Sequence, residues 1–271
     1  MHLTVRNVIR FHFAVPARNL TVLLRLSPRS HEGQHVTGSR IDADIDCSLK
    51  VGQDAFGNVT HSFSAAGPLE GFAVTSVCRV ETYDAAGMVR GGAERLPIDI
   101  YLRNTDLTVC DAGLRQFAER ATAAEAEPLG KLHALMDAVH TEIAWAEHPE
   151  PGAKGGPVAA ARAFAAKTGD AIGHAHIFAA SARHLGLPCR HVTGYLLRDR
   201  EPGADAAAAS AHAWAEAHVP NLGWVAFDSV GKLCPNGSHI RVAAGLDALG
   251  AAFFRGTNCD HTTASATISA A

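Results

Sequence analysis

No apolar run in this chain approaches the roughly 20 residues that a membrane-crossing helix needs, so no membrane partner is expected. No charge of one sign dominates: 24 Lys and Arg face 27 Asp and Glu, for a net charge of −3. That balance leaves no electrostatic footprint for nucleic acid or for an anionic membrane. No Cys-x-x-Cys pair occurs. The six cysteines (Cys47, Cys78, Cys110, Cys189, Cys234 and Cys259) are spread along 271 residues. They read as free thiols in a reducing compartment, and a cytoplasmic location is expected. The opening Met1-His2-Leu3-Thr4-Val5-Arg6 runs straight into strand-like sequence, so no signal peptide is expected. No internal repeat is evident. Hydrophobic residues at 47% against 19% charged imply a packed core, in one large or two medium domains.

The first 100 residues read as all-β. Val5 to Val15 alternates in part, Thr21 to Leu26 is a short apolar run, and Ile41 to Val51 alternates with acidic residues. Asp54-Ala55-Phe56-Gly57-Asn58 is a turn, from which Val59 to Phe63 returns, and Phe72 to Thr82 alternates cleanly. From about Asp106 the period becomes helical. Leu114, Phe117, Ala118 and Ala121 fall on one face, and Leu132, Leu135, Met136, Val139 and Ile143 form a stripe behind Pro128. A Pro/Gly-rich loop (147–157) precedes a short alanine-rich helix. A further helix runs from Ala171 to Leu185, closed by Gly186 and Pro188. Strand-like runs follow at Arg190 to Leu197, Ala211 to Val219 and Gly223 to Phe227, with a polar loop (198–209) after the first. The Thr/Ser/Ala-rich end from Thr262 reads as a frayed end or an edge strand. The expected division is a β domain over 1–104 and a second domain of helices and strands over 105–271.

Chemistry concentrates in the second part. His212 sits in Ser210-Ala211-His212-Ala213-Trp214-Ala215-Glu216, and Asp228 ends Gly223-Trp224-Val225-Ala226-Phe227-Asp228. A hairpin would bring these two together as a base and the group that orients it. A thiol nucleophile works best at a helix start, where unpaired N–H groups favour the thiolate. The break at Gly169-Asp170 supplies such a start, but Ala171 occupies it.

These segments resemble the transglutaminase-like cysteine peptidase superfamily. In its bacterial members a Gly-x-Cys opens the helix, and "HAWvE" and "GWvgfDp" stretches follow. Ser181 to Tyr195, Ile240 to Asp247 and Phe254-Arg255-Gly256 resemble further elements of the same pattern. Leu24 to Arg29, Gln34-His35-Val36 and Asp54 to Asn58 resemble the β domain that precedes the core. The resemblance spans about residues 2 to 257. It implies an α+β fold: an N-terminal all-β domain followed by a papain-like core, with the nucleophile helix packed on an antiparallel sheet. It also implies thiol acyl transfer or hydrolysis on peptide or protein amides, without a cofactor. By position the nucleophile falls on Ala171, the base on His212 and the orienter on Asp228. Asp170, His174 and Trp214 are candidate substrate contacts.

The departure is chemical. A methyl group cannot attack a carbonyl, and loss of a triad nucleophile costs several orders of magnitude in rate. The chain as written is expected to be inactive, with an introduced Cys→Ala replacement as the leading explanation. The alternative is a natural non-catalytic protein that keeps the cleft to bind a peptide or a protein. Plainer readings stand beside these. His212 would be a core histidine, Asp228 a turn cap, and Trp214 and Trp224 packing. Cys189 reads as a buried structural thiol. His174 and His176 share a helix but point to different faces, so no metal site is expected.

Overall fold

The structure, a computed structural model, describes residues 1–92, 94–146, 156–197, 207–257 and 262–270. Its strands are β1 (His2–Ser27), β2 (Gln34–Ala43), β3 (Lys50–Gln53), β4 (Val59–Thr82), β5 (Met88–Val89), β6 (Ala144–Trp145), β7 (Thr168–Gly169), β8 (Cys189–Leu197), β9 (Ala207–Val219), β10 (Gly223–Phe227), β11 (His239–Gly245), β12 (Phe254–Thr257) and β13 (Thr262–Ala270). Its α-helices are α1 (Ala112–Thr122), α2 (Pro128–Glu142), α3 (Ala160–Ala166) and α4 (Ala171–His184). The fold is α+β, with a strand-rich N-terminal region and a helix-bearing core.

The sheet path runs β11-β8-β9-β13-β1-β4-β2, with β10 branching from β9. The sequence suggests separate short strands in the first part. The structure joins them: β1 has 26 residues and β4 has 24, paired antiparallel through register shifts between His12 and Asn19. Such shifts let one long strand bend without losing its ladder. The reverse holds for Ile41 to Val51, where pairing breaks between β2 and β3. The sequence reading also misplaces the last strand. It has β1 on one side over nine residue pairs and β9 on the other, through Ser269↔Ala208 and Ala270↔Ala207. A Thr/Ser/Ala composition carries too little apolar signal to reveal a strand with two neighbours. The 147–157 and 198–209 loops lie mostly outside the described residues. Of the second, residues 207–209 begin β9.

The three largest cores among the described residues follow from the patterns. Ile9, Phe11, Phe13, Leu24, Phe63 and Phe72 fill the N-terminal sheet. The α2 stripe (Leu132, Leu135, Met136, Val139, Ile143) packs with Phe178 of α4 and Phe227 of β10. Between them, Val5 and Val80 meet Tyr195, Ile240 and Val242. Two amides fasten this seam. Gln34 and Asn58 each bond both backbone groups of one residue on β11: Gln34 with Arg241 (2.9 and 3.0 Å), Asn58 with Ala244 (2.7 and 2.8 Å). The N-terminal region thereby caps the open edge of β11, which would otherwise present unpaired groups.

Helix α4 is the element on which the core turns. Its apolar residues do not form a stripe, because it is buried on every side. Alanines at 175, 179, 180 and 182 keep it thin enough for that. Asp170 caps its start, accepting the Gly173 N–H at 2.8 Å. Gly186, at φ +76°, ends it: the Gly186 and Leu187 N–H groups return to the carbonyls of Arg183 and Ala182. The buried Arg183 guanidinium donates to the carbonyls of Cys189 and Leu246 and to Thr108, tying the helix to three segments.

Candidate active site

The β9–β10 hairpin turns through Asn221 and Gly223, both at positive φ, and pairs Ala215 with Phe227. It places His212 and the end of β10 on one side, as the sequence suggests. The His212 Nε2 lies 2.8 Å from Asp228 Oδ2, and both side chains are buried. Ala171, at the first position of α4, packs with Ala175 of the same helix and with Ala213, the neighbour of His212; Ile172 and Val230 close that cluster. All three expected triad positions thus lie around the junction of α4, β9 and the turn after β10.

Asp228 fills two roles that look like alternatives in the sequence. Its Oδ1 accepts the N–H groups of Val230 (2.9 Å) and Gly231 (3.3 Å), as a turn-capping aspartate does. Its Oδ2 accepts from His212 and, at 3.2 Å, from His239 Nε2. Burial alone would push this carboxyl up, but the hydrogen bonds from the two imidazoles outweigh it and hold it well below the usual carboxylate range. An ionised carboxylate only accepts, so the His212 proton sits on Nε2 and a neutral ring keeps its lone pair on Nδ1. His140 of α2 steadies the turn from outside, with its Nδ1 at 3.1 Å from the Ser229 carbonyl.

His239 is the residue that sequence reading misses. It stands immediately before the Ile240–Asp247 stretch, one position outside the matched segment. The resembled pattern begins with a histidine at this place, but the sequence alone does not show its contact with Asp228, eleven positions earlier.

The other candidates are placed as follows. Asp170 is the N-cap of α4. His174 is buried, with Nδ1 at 2.9 Å from the Asp170 carbonyl and Nε2 at 3.2 Å from that of Ile143. Trp214 is buried beneath the histidines, its indole edge-on to His239 at 5.5 Å. Gly194 faces His212 across the β8–β9 ladder. A Cβ there would lie 2.1 Å from the Ile240 carbonyl oxygen and 2.7 Å from the Trp214 ring, so only glycine fits. Glu216, two residues beyond Trp214, is fully buried between Arg190 (2.6 Å) and Arg241 (2.7 Å). Burial would raise its pKa; Arg241 and Arg190 overcome that and bring it to about 2.

One atom each from His212, Asp228 and His239 lies within 4.8 Å of the others, close enough to consider a cation. The tautomer opposes it. The Asn236 N–H donates to His239 Nδ1 at 3.4 Å, which leaves the ring proton on Nε2, the nitrogen that a metal would need. His176 is elsewhere: its Nδ1 meets the Val158 carbonyl and its Nε2 accepts from the Ala248 N–H. None of the described thiols is activated as a nucleophile. Burial pushes Cys189 up to about 12 and Cys78 and Cys110 to about 11; Cys47 and Cys234 are raised for the same reason. Cys259 lies outside the described residues.

Comparison with known proteins accords with this geometry. Residues 115–229 match the transglutaminase-like superfamily, and residues 3–81 match the bacterial transglutaminase-like N-terminal region. A search of curated proteins returned no match. Among solved structures, the "Putative Cysteine Protease from Cytophaga hutchinsonii" aligns over 100% of this chain and 90% of its own, at 18% identity and a TM-score of 0.78. The periplasmic domain of TgpA from Pseudomonas aeruginosa aligns over 82% of this chain and 73% of its own, at 17% identity and a TM-score of 0.42. The first of these likenesses establishes a shared fold. The two matched regions follow one another along the chain, the N-terminal one ending at residue 81 and the second beginning at residue 115.

Proposed function

We propose that this chain is the scaffold of a cysteine-protease-like enzyme for amide acyl transfer or hydrolysis, lacking its nucleophile. In this reading a thiol at position 171 attacks the carbonyl of a peptide or protein amide. His212 takes the thiol proton on Nδ1 and returns it to the leaving amine. Asp228 fixes the tautomer and supports the imidazolium. The N–H groups of Gly173 and His174 are engaged by Asp170, so those of Ala171 and Ile172 are the first-turn donors available to a developing oxyanion. With alanine at 171 none of this proceeds.

The observation that carries the proposal is the hydrogen-bonded His212–Asp228 pair, together with a helix start whose residue 171 packs on Ala213, next in sequence to His212, and on Val230, two residues beyond Asp228. Such a pair has no structural need for that neighbour. It favours a cysteine replaced by alanine, whether by design or by descent. The second reading, a non-catalytic protein that holds a peptide in the same cleft, draws on the apolar lining of position 171 by Ala213, Ile172 and Val230.

The test is Ala171→Cys, titrated with iodoacetamide across pH. A thiol that reacts well ahead of free cysteine near neutral pH, and loses that advantage in Ala171→Cys/His212→Ala, supports the enzyme reading. A thiol no faster than free cysteine removes it. The codon at position 171 in the native gene separates an introduced alanine from an inherited one.

A further inference from the structure

We propose that His239 is a positioning residue for the base, holding Asp228 in the one orientation that serves His212. This rests on the catalytic reading of His212 and Asp228.

A carboxylate offers about four acceptor sites. All four are filled here: Oδ1 by Val230 and Gly231, Oδ2 by His212 and His239. Without His239, Oδ2 would keep one partner, and rotation about χ2 could trade it against the two backbone donors. The fourth donor removes that freedom. His239 is itself fixed as a donor. The Asn236 N–H occupies its Nδ1, the His239 N–H returns to the Asn236 carbonyl at 3.0 Å, and the Asn236 side chain accepts from the Ser238 N–H. The ring therefore cannot turn its lone pair toward Asp228. Trp214 packs edge-on against it, and Trp214 is two residues from His212 on the same strand face. One indole thus supports both imidazoles that meet at Oδ2. The arrangement distinguishes His239 from a space-filling histidine, which would need only one satisfied nitrogen.

Three variants test this: His239→Gln, whose amide N–H reaches about as far as Nε2; His239→Asn, which is polar but too short; and His239→Leu, which only fills space. The first readout uses the chain with Ala171 and needs no reactivity. Proton–nitrogen NMR of the imidazoles is expected to show a slowly exchanging His212 Nε2–H in the parent and in His239→Gln, and a broadened or lost one in His239→Asn and His239→Leu. An unchanged His212 signal in His239→Asn or His239→Leu would overturn the proposal. The second readout adds Ala171→Cys to each variant and follows alkylation near neutral pH. His239→Asn and His239→Leu should react about tenfold more slowly, the loss of one charge-assisted hydrogen bond. His239→Gln should stay within about twofold of its parent. Equal rates in all four proteins would also defeat the role of His239. If Ala171→Cys alone fails to outpace free cysteine, the catalytic reading falls, while the NMR comparison still decides what His239 does to Asp228. Should His239→Leu not fold, the Gln and Asn pair carries both tests.

Discussion

The two sides of the candidate site are built in opposite ways. On the sheet side, every polar atom of Asp228 has a partner, His212 and His239 are held by it, and Glu216 lies in a buried ion network two residues beyond Trp214. On the helix side, position 171 contributes a methyl group to a small apolar cluster and no polar atom depends on it. A site shaped by packing alone would show no such asymmetry. The sheet side has the cost structure of a committed polar network, in which removing one member strands the others. The helix side can change its residue without that penalty.

The sharpest way to break this comparison is Asp228→Ala. It orphans two imidazole N–H groups and two backbone N–H groups. Each buried donor without an acceptor costs about 1–3 kcal/mol, so a loss of roughly 4 kcal/mol or more is expected in urea unfolding. A loss under about 1 kcal/mol would mean that the turn and the histidines are indifferent to the carboxylate.

Glu216→Gln comes next. It leaves Arg241 without its carboxylate and Arg190 with Glu94 alone. Breaking a buried ion network in this way costs about 3 kcal/mol or more. The same group sets an acid limit. Its carboxyl falls from the ordinary 4.5 to about 2 on folding, so its contribution is complete above 4.5 and disappears as pH drops from there through about 2. Urea midpoints measured over that range should fall steeply in the parent and less steeply in Glu216→Gln. Parallel slopes would assign acid sensitivity to other carboxylates.

What the sequence disclosed, and what it did not, follows the same divide. His212, Asp228 and the Ala171 helix start were legible because each sits inside a local pattern: an apolar run, a hairpin, a cap before a helix. The α2 stripe was legible by period. His239 was not, since its partner is fixed by a turn whose path no periodicity encodes. Nor was the length of β1 and β4, because bulges interrupt the alternation that would reveal a continuous strand. The position of β13 was hidden by its composition. The role of Gln34 and Asn58 was hidden differently: Asn58 reads as a turn residue and Gln34 as part of a family-like stretch, and only the placement of β11 beside them makes each amide a substitute strand partner.

Asn58→Ala measures that last contact. It removes both bonds to Ala244 and the bond from Nδ2 to Asp54. About 2 kcal/mol of destabilisation is expected, together with faster hydrogen exchange at the Ala244 amide. If exchange at Ala244 is unchanged, β11 does not need its amide cap, and the N-terminal region does not support the site through that edge.

The smallest expected effect is the most discriminating for position 171. Ala171→Cys adds a single sulfur at a residue that is 7% exposed, beside the alanines at 175 and 213. If the cluster retains the room of a former thiol, stability should change by no more than about 0.5 kcal/mol, as for a substitution that neither strands a polar group nor strains the core. If the surrounding side chains have instead closed around the methyl group, overpacking would cost about 1–3 kcal/mol. The first result means that the helix side has room for a thiol, as the proposed enzyme reading requires. The second means that the core has repacked around alanine, and it would favour the peptide-binding reading over the enzyme.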